Sequence, residues 1–92
     1  MSRHYYHVDV VCEHMEMPRA QLRRYERMGL LSPSGEPETP HGAPRYTEED
    51  LWRLRRIRRL QRDLGLDLAG VEVVVHLLDQ IAELQRLLQE RA

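Results

Sequence analysis

Four residues near the N-terminus have side chains that could bind a metal ion: Cys12, His14, His4 and His7. Thiolates and imidazoles are ligands that zinc prefers. Cys12 and His14 are two positions apart, so a helix would not place both side chains on one face, and no second pair of ligands follows downstream. We therefore expect no metal site and interpret Cys12 as a small buried residue.

Motifs for catalysis are missing from the sequence as well. It contains neither a glycine-rich phosphate loop nor a nucleophile elbow. A chain of 92 residues buries only about 60–65% of its unfolded surface, which leaves little room for a deep substrate cavity. We predict a small non-enzymatic protein without a cofactor.

The composition argues against a membrane protein. Charged residues make up 32% of the chain, and the mean hydropathy is −0.63. The longest apolar runs have three residues, whereas a helix needs about 20 to cross a bilayer. The single cysteine cannot form an internal disulfide, which predicts a cytoplasmic location.

The net charge of −1 conceals two oppositely charged parts. All 14 basic residues are arginine. Residues 1–62 hold 12 arginines and 9 acidic residues, for a net charge of +3, whereas residues 63–92 hold 2 and 6, for −4. This asymmetry predicts that the two parts meet different partners.

Two short helices are predicted in the first part. Val8, Val11 and Cys12 follow helical spacing and form one apolar face. Pro18 is well placed to open a second helix over residues 19–28, and Gly29 suits the left-handed position that ends one. Two short helices joined by about three residues form a helix-turn-helix pattern.

A loop or short hairpin is predicted to follow over residues 32–44, because the segment holds four prolines and two glycines. Thr47 can then cap a third helix whose first turn is acidic. Its apolar positions recur every three or four residues, and Gly65 is the predicted stop. These positions are Leu51, Leu54, Ile57, Leu60 and Leu64.

A last helix is predicted from the cap Asp67 towards Arg91. Its length of about 24 residues corresponds to roughly 36 Å, more than a domain of this size can cover, so its distal half should pack on a partner. We predict an all-α winged helix-turn-helix domain with a small β wing over residues 1–66 and a dimerisation or partner-binding helix over residues 67–92. The predicted oligomerisation residues are Leu77, Leu78, Ile81, Leu84 and Leu88.

Two sequence stretches resemble the MerR family of DNA-binding regulators, within a similarity that covers residues 6–70. They read Leu22-Arg23-Arg24-Tyr25-Glu26-Arg27-Met28-Gly29-Leu30-Leu31-Ser32-Pro33 and Arg45-Tyr46-Thr47-Glu48-Glu49-Asp50-Leu51. The resemblance implies a MerR-like fold in which the second helix enters the major groove of double-stranded DNA and the wing contacts phosphates.

The same resemblance implies roles for individual residues. Arg23, Tyr25, Arg45 and Tyr46 would contact phosphates, and Arg24 belongs to the same DNA-binding set. Arg19 and Gln21, near the start of the second helix, would face base edges. Alternatively, the rings of Tyr25 and Tyr46 pack the wing onto the core.

The sequence departs from that family pattern at the turn and on the third helix. Glu16 stands where the family has a turn glycine, and Pro18 stands at the usual Ser/Thr cap. Six arginines between residues 53 and 62 are interpreted as a solvated helix face, partly neutralised by pairs such as Arg59 with Asp63.

A second resemblance covers the C-terminal part, where the sequence from Leu60 to Leu84 is similar to the chaperone-modulator family typified by CbpM and to DafA-type assembly factors of DnaK and DnaJ. HspR-type heat-shock repressors resemble both parts. A chaperone modulator would bind DnaJ and also DnaK through acidic residues that complement the basic J-domain. These residues are Asp67, Glu72, Asp79 and Glu83.

Two functions therefore follow from the sequence. The leading hypothesis is a non-catalytic modulator that binds the co-chaperone DnaJ, with DnaK as a second candidate partner. The alternative is a dimeric HspR-like repressor that binds double-stranded DNA and regulates heat-shock genes. Both hypotheses include a homo-oligomer formed through the last helix.

Overall fold

The computed structural model describes residues 4–33, 35, 42 and 45–91. It contains four helices and a two-stranded sheet in its described part, so the predicted mostly helical fold with a small β wing is confirmed. The chain divides into two compact units, Met1–Arg56 and Ile57–Ala92. The elements are β1 (Tyr6–His7), α1 (Val8–Met15), α2 (Arg19–Arg27), β2 (Arg45–Tyr46), α3 (Glu48–Arg62) and α4 (Leu68–Arg91).

Helices α1 and α2 form the predicted helix-turn-helix. In α1 the buried side chains Val11 and Met15 are one turn apart, and in α2 Leu22 and Tyr25 are buried at the same kind of spacing. The two helices contact each other across the turn. Cys12, predicted to be buried, is only half-buried.

Both helices end in a left-handed residue. After α2, Gly29 has φ of 75°, and the Leu30 N–H donates to the Tyr25 carbonyl over 3.0 Å. After α1, Glu16 adopts the same conformation with φ of 51°, and the Met17 N–H donates to the Cys12 carbonyl over 2.9 Å. Glycine normally occupies this position because a Cβ is strained there.

The wing is held by backbone pairing on both sides of Arg45. Strands β1 and β2 are antiparallel, with Tyr6 opposite Tyr46 and His7 opposite Arg45. On the other side, the Gly35 N–H donates to the Arg45 carbonyl over 3.0 Å. This bridge is the pairing expected of a short hairpin, although most of the predicted loop over residues 32–44 lies outside the described residues.

Helix α3 begins at the predicted cap. The Asp50 N–H donates to the Thr47 hydroxyl over 3.4 Å, and the Asp50 carboxylate accepts from the Thr47 N–H over 2.8 Å, so each residue satisfies the other's backbone. The helix ends at Arg62, earlier than the apolar pattern indicated. Leu64 therefore lies beyond the helix and is 69% exposed, so its prediction as an apolar face position was wrong.

Helix α4 begins at the predicted cap Asp67, whose carboxylate accepts from the Gly70 N–H over 2.8 Å. It has the predicted 24 residues. Val71 and Val75 are buried in its first half, whereas every residue from 79 to 91 is exposed. The functional division at residue 66 stays a prediction. No described helix has both the length and the apolar character needed to cross a membrane.

The left-handed Glu16 yields a stability prediction. Replacing Glu16 by Gly removes the strain on the Cβ, and we expect the free energy of unfolding to rise by about 0.5–1 kcal/mol. Urea denaturation followed by circular dichroism measures this change. Glu16→Ala is the matched control, since it removes the same charge but keeps a Cβ. An equal gain in both variants would contradict the strain explanation.

Candidate nucleic-acid interface

One face of α2 carries four exposed arginines. With 100° between successive residues, the buried Leu22 and Tyr25 define one side of the helix. Three of the arginines lie on the opposite side, and Arg19 lies at its edge. We call this set the arginine face. Its members are Arg19, Arg23, Arg24 and Arg27.

Arg19 is engaged by an acid from the preceding helix. Its Nε donates to Asp9 Oδ1 over 3.0 Å, and its Nη2 contacts the same oxygen. The pKa of Arg19 is raised above its usual value, mainly by the hydrogen bond to Asp9 and next by the negative charge of Asp9. The arginine face thus contains a side chain that already has a hydrogen-bond partner on α1.

Arg45 lies on the wing and stacks on an aromatic ring. Its guanidinium carbon is 4.4 Å from the centre of the Tyr5 ring, a cation–π geometry that orients the charged group. Gly35 is packed against the same two residues, since a Cβ there would lie 2.7 Å from Tyr5 Cδ1 and 2.8 Å from the Arg45 carbonyl oxygen. The wing arginine is therefore positioned by close packing around its backbone and its side chain.

The two tyrosines predicted to contact phosphates lie in the core. Tyr25 is 2% exposed and Tyr46 is 1% exposed. The Tyr46 hydroxyl donates to the Glu26 carboxylate on α2. Burial and this hydrogen bond raise the pKa of Tyr46 well above its usual range. The structure thus shows the packing that the sequence left as the alternative, and a phosphate contact by either ring stays a prediction.

Three residues of the arginine face and its surroundings, including the wing, were not predicted from the sequence. Arg27 is four positions after Arg23, so helical spacing alone could have placed it on the same face. Asp9 and Tyr5 become relevant only through the tertiary contacts that bring them to Arg19 and Arg45. Gln21, predicted to face a base edge, is half-buried at the border of the face.

The acidic residues predicted to bind a chaperone are exposed on or just before α4, but some have local roles. Asp67 caps the helix, and Glu83 accepts from the Arg86 Nε over 3.1 Å. Glu72 and Asp79 are exposed as well. At 100° per residue, Glu72, Asp79 and Glu83 lie on one face of α4, whereas Asp67 precedes the helix.

Four of the predicted oligomerisation residues present their side chains to solvent in the single chain. Leu77, Ile81, Leu84 and Leu88 are 50–67% exposed, and Leu78 is half-buried. So many exposed large apolar side chains on one helix are unusual for a surface that no partner covers.

The remaining polar groups give no sign of a catalytic or metal centre in the described part of the chain. No three side chains of His, Cys, Asp or Glu are arranged there to hold a metal ion. Burial raises the pKa of the Cys12 thiol, which opposes formation of a reactive thiolate. In the arginine run of α3, Arg59 and Asp63 form the predicted pair at a long 3.9 Å between exposed groups.

Comparisons with known proteins agree with this arrangement. A family model described as MerR HTH family regulatory protein matches residues 6–90. HspR of Streptomyces coelicolor, which is named as a putative heat shock protein, is 41% identical over 64 residues. That match covers 70% of the present chain and 40% of the relative, so the chain spans less than half of the relative's length.

The buried Tyr46 hydroxyl predicts a stability loss at high pH. Because its pKa is raised in the folded state, the unfolded chain releases this proton first as the pH passes about 10. The free energy of unfolding should then fall by up to about 1.4 kcal/mol per pH unit. The chain has no lysine, so no ammonium side chain titrates in this window.

Denaturation of the Tyr46→Phe variant over roughly pH 8 to pH 11 tests whether the Tyr46 hydroxyl causes this loss of stability. We expect a smaller alkaline slope and, at neutral pH, a loss of about 1 kcal/mol from the missing bond to Glu26. Tyr5→Phe keeps its ring beneath Arg45 and serves as the control. An unchanged slope in Tyr46→Phe would show that another group causes the loss.

Proposed function

Because the chain belongs to the MerR HTH family of regulatory proteins, we propose that it is a non-enzymatic regulator that binds double-stranded DNA through α2 and the wing. The observation that carries this proposal is the arginine face of α2, which points away from the core on the second helix of a helix-turn-helix. Such a helix docks in the major groove, where its side chains reach base edges and flanking phosphates.

The charge of the first part of the chain supports a negatively charged partner such as DNA over a basic or neutral one. Residues 1–62 carry +3 although the whole chain carries −1. Two acids near the arginine face, Asp9 and Glu26, accept hydrogen bonds from Arg19 and Tyr46. Arg23, Arg24 and Arg27 add three exposed guanidinium groups that suit phosphate oxygens.

Regulation of heat-shock genes is the finer part of this proposal. It rests on the Streptomyces coelicolor relative, which is named as a putative heat shock protein and is 41% identical over the matched region. Both parts of the sequence also resemble HspR-type repressors, in agreement with that match. The target genes and the DNA site would be those of a regulator of this type.

Chaperone binding, the leading hypothesis from the sequence, has less support than DNA binding. The matched family is one of regulatory proteins. Two of the four predicted chaperone-binding carboxylates, Asp67 and Glu83, already serve α4 as a cap and as an ion-pair partner. Binding to DnaJ or DnaK therefore stays a prediction from the resemblance.

We further propose that two copies pair through α4. Leu77, Ile81, Leu84 and Leu88 follow one another at alternating spacings of four and three residues, the heptad spacing of coiled coils. This exposed stripe lies about a third of a turn away from the buried Val71 and Val75. The helix therefore has a second apolar face, and a second copy of α4 would cover it.

DNA binding is tested with a pool of duplexes randomised over their central bases. We expect binding that weakens steeply with salt, because arginine contacts release counterions from phosphates. Arg23→Ala and Arg24→Ala should each weaken binding about tenfold and lower the salt slope by about one. Fluorescence anisotropy over a salt series measures both effects.

Arg86→Ala is the control for this experiment, since Arg86 is an exposed arginine paired with Glu83 and Glu90 on α4. It should leave DNA binding unchanged. Equal losses in all three variants, or wild-type binding without salt dependence, would contradict the assignment of the arginine face.

Pairing through α4 is tested by Ile81→Glu, which places a charge in the exposed stripe. We expect the wild-type chain to sediment as a dimer and the variant as a monomer, since a buried unpaired charge opposes association. Ala82→Glu adds the same charge at an exposed position about a third of a turn away from the stripe and should stay dimeric. A monomeric wild type at all concentrations would refute the pairing.

A further inference from the structure

Asp9 and Arg19 form an ion pair across the turn of the helix-turn-helix. Asp9 lies in the first turn of α1, and Arg19 is the first residue of α2. The Asp9 and Arg19 side chains are 74% and 52% exposed. The pair is therefore at the surface and open to a ligand that approaches the start of α2.

The Asp9 carboxylate contacts only one edge of the Arg19 guanidinium group. The Nε and Nη2 atoms of Arg19 both contact Asp9 Oδ1. A guanidinium has five N–H donors in a rigid plane, so the end formed by the two Nη atoms keeps a pair of parallel donors. Two parallel donors from one arginine match the O6 and N7 acceptors of guanine in the major groove.

We propose that Asp9 is a positioning residue for base readout, which holds Arg19 so that the free end of its fork contacts a guanine. This inference rests on the proposed DNA-binding function. An arginine that is held in one orientation loses less side-chain freedom when it forms the bidentate contact. The preference for guanine at one base position should therefore depend on Asp9 although Asp9 touches no base.

The same carboxylate also has an unfavourable effect on DNA binding in general. It places a negative charge beside the arginine face and partly neutralises Arg19, so it reduces the number of phosphates that the protein can neutralise. Asp9 should thus lower affinity for any duplex while raising discrimination between duplexes. If the ion pair had only a structural role, replacing Asp9 would leave the base preference unchanged.

The experiment compares wild type with Asp9→Asn in two measurements. Selection from the randomised duplex pool, followed by sequencing, gives the base preference at each position. Anisotropy with a duplex from the unselected pool gives the affinity for DNA in general. For Asp9→Asn we expect general affinity to rise severalfold and the guanine preference at one position to fall about tenfold, the loss expected for one well-made bidentate contact.

Glu13→Gln is the matched control for charge, because Glu13 is an exposed acid of the same helix. It should raise general affinity without altering any base preference. Arg19→Lys keeps the charge but lacks the fork, so it should lose the guanine preference at the same position as Asp9→Asn. Adding Asp9→Asn to Arg19→Lys should then reduce that preference no further.

The outcomes separate this inference from the proposed function. If wild type binds DNA and Asp9→Asn keeps every base preference, or behaves like Glu13→Gln, the positioning role is refuted while DNA binding stands. If folded wild type shows no salt-dependent binding to the pool, both proposals fail. Circular dichroism of each variant verifies that a lost preference does not come from unfolding.

Discussion

The hydrogen bond between Tyr46 and Glu26 is the contact on which the arrangement of the first unit depends. Tyr46 belongs to the wing and Glu26 to α2, so this partly buried bond connects the two parts that would contact DNA. Successive residues of a strand point to opposite faces, and with Tyr46 held inward, the neighbouring Arg45 points outward onto the Tyr5 ring. A shift of one residue in the pairing of β1 with β2 would exchange these two side chains and remove the arginine from the surface. The register of a very short sheet therefore decides whether the wing carries a charge.

Charge is organised at three levels in this chain. The whole chain is nearly neutral, its first 62 residues are positive, and within them α2 directs its arginines to one face. Acids close to that face accept hydrogen bonds, as Asp9 does from Arg19. The exclusive use of arginine adds a further consequence, since guanidinium groups keep their charge at any physiological pH and offer planar forks where lysine offers a point charge. The contribution of the arginines to the attraction for phosphates should thus be insensitive to pH, and orientation becomes the property that the surrounding acids and rings can adjust.

Features set by residues close together in the sequence could be predicted from it. Pro18, Gly29, Thr47 and Asp67 mark helix ends through local backbone hydrogen bonds, and the structure has each helix boundary within one or two residues of those marks. Leu64 escaped prediction because its spacing continued the apolar pattern of α3 beyond the point where the helix ends. The pairs Asp9–Arg19 and Tyr5–Arg45 also escaped, since they depend on folding that brings together residues 10 and 40 positions apart. Whether Tyr25 and Tyr46 face DNA or the core was open for the same reason: composition shows that a ring can do either, and only packing decides.

The size of α2 connects the DNA-binding proposal with the pairing of α4. A helix of nine residues with an arginine face of four presents few side chains to base edges, and each well-made base contact contributes only about 1–3 kcal/mol of discrimination. Specific binding against the many competing sites of a genome needs about 4–10 kcal/mol, more than one such helix supplies once some of its arginines contact phosphates. Two copies joined through the exposed stripe of α4 would double the number of base contacts on a symmetric site. The apolar stripe and the arginine face, which lie in different units of the chain, would therefore both be required for the proposed function.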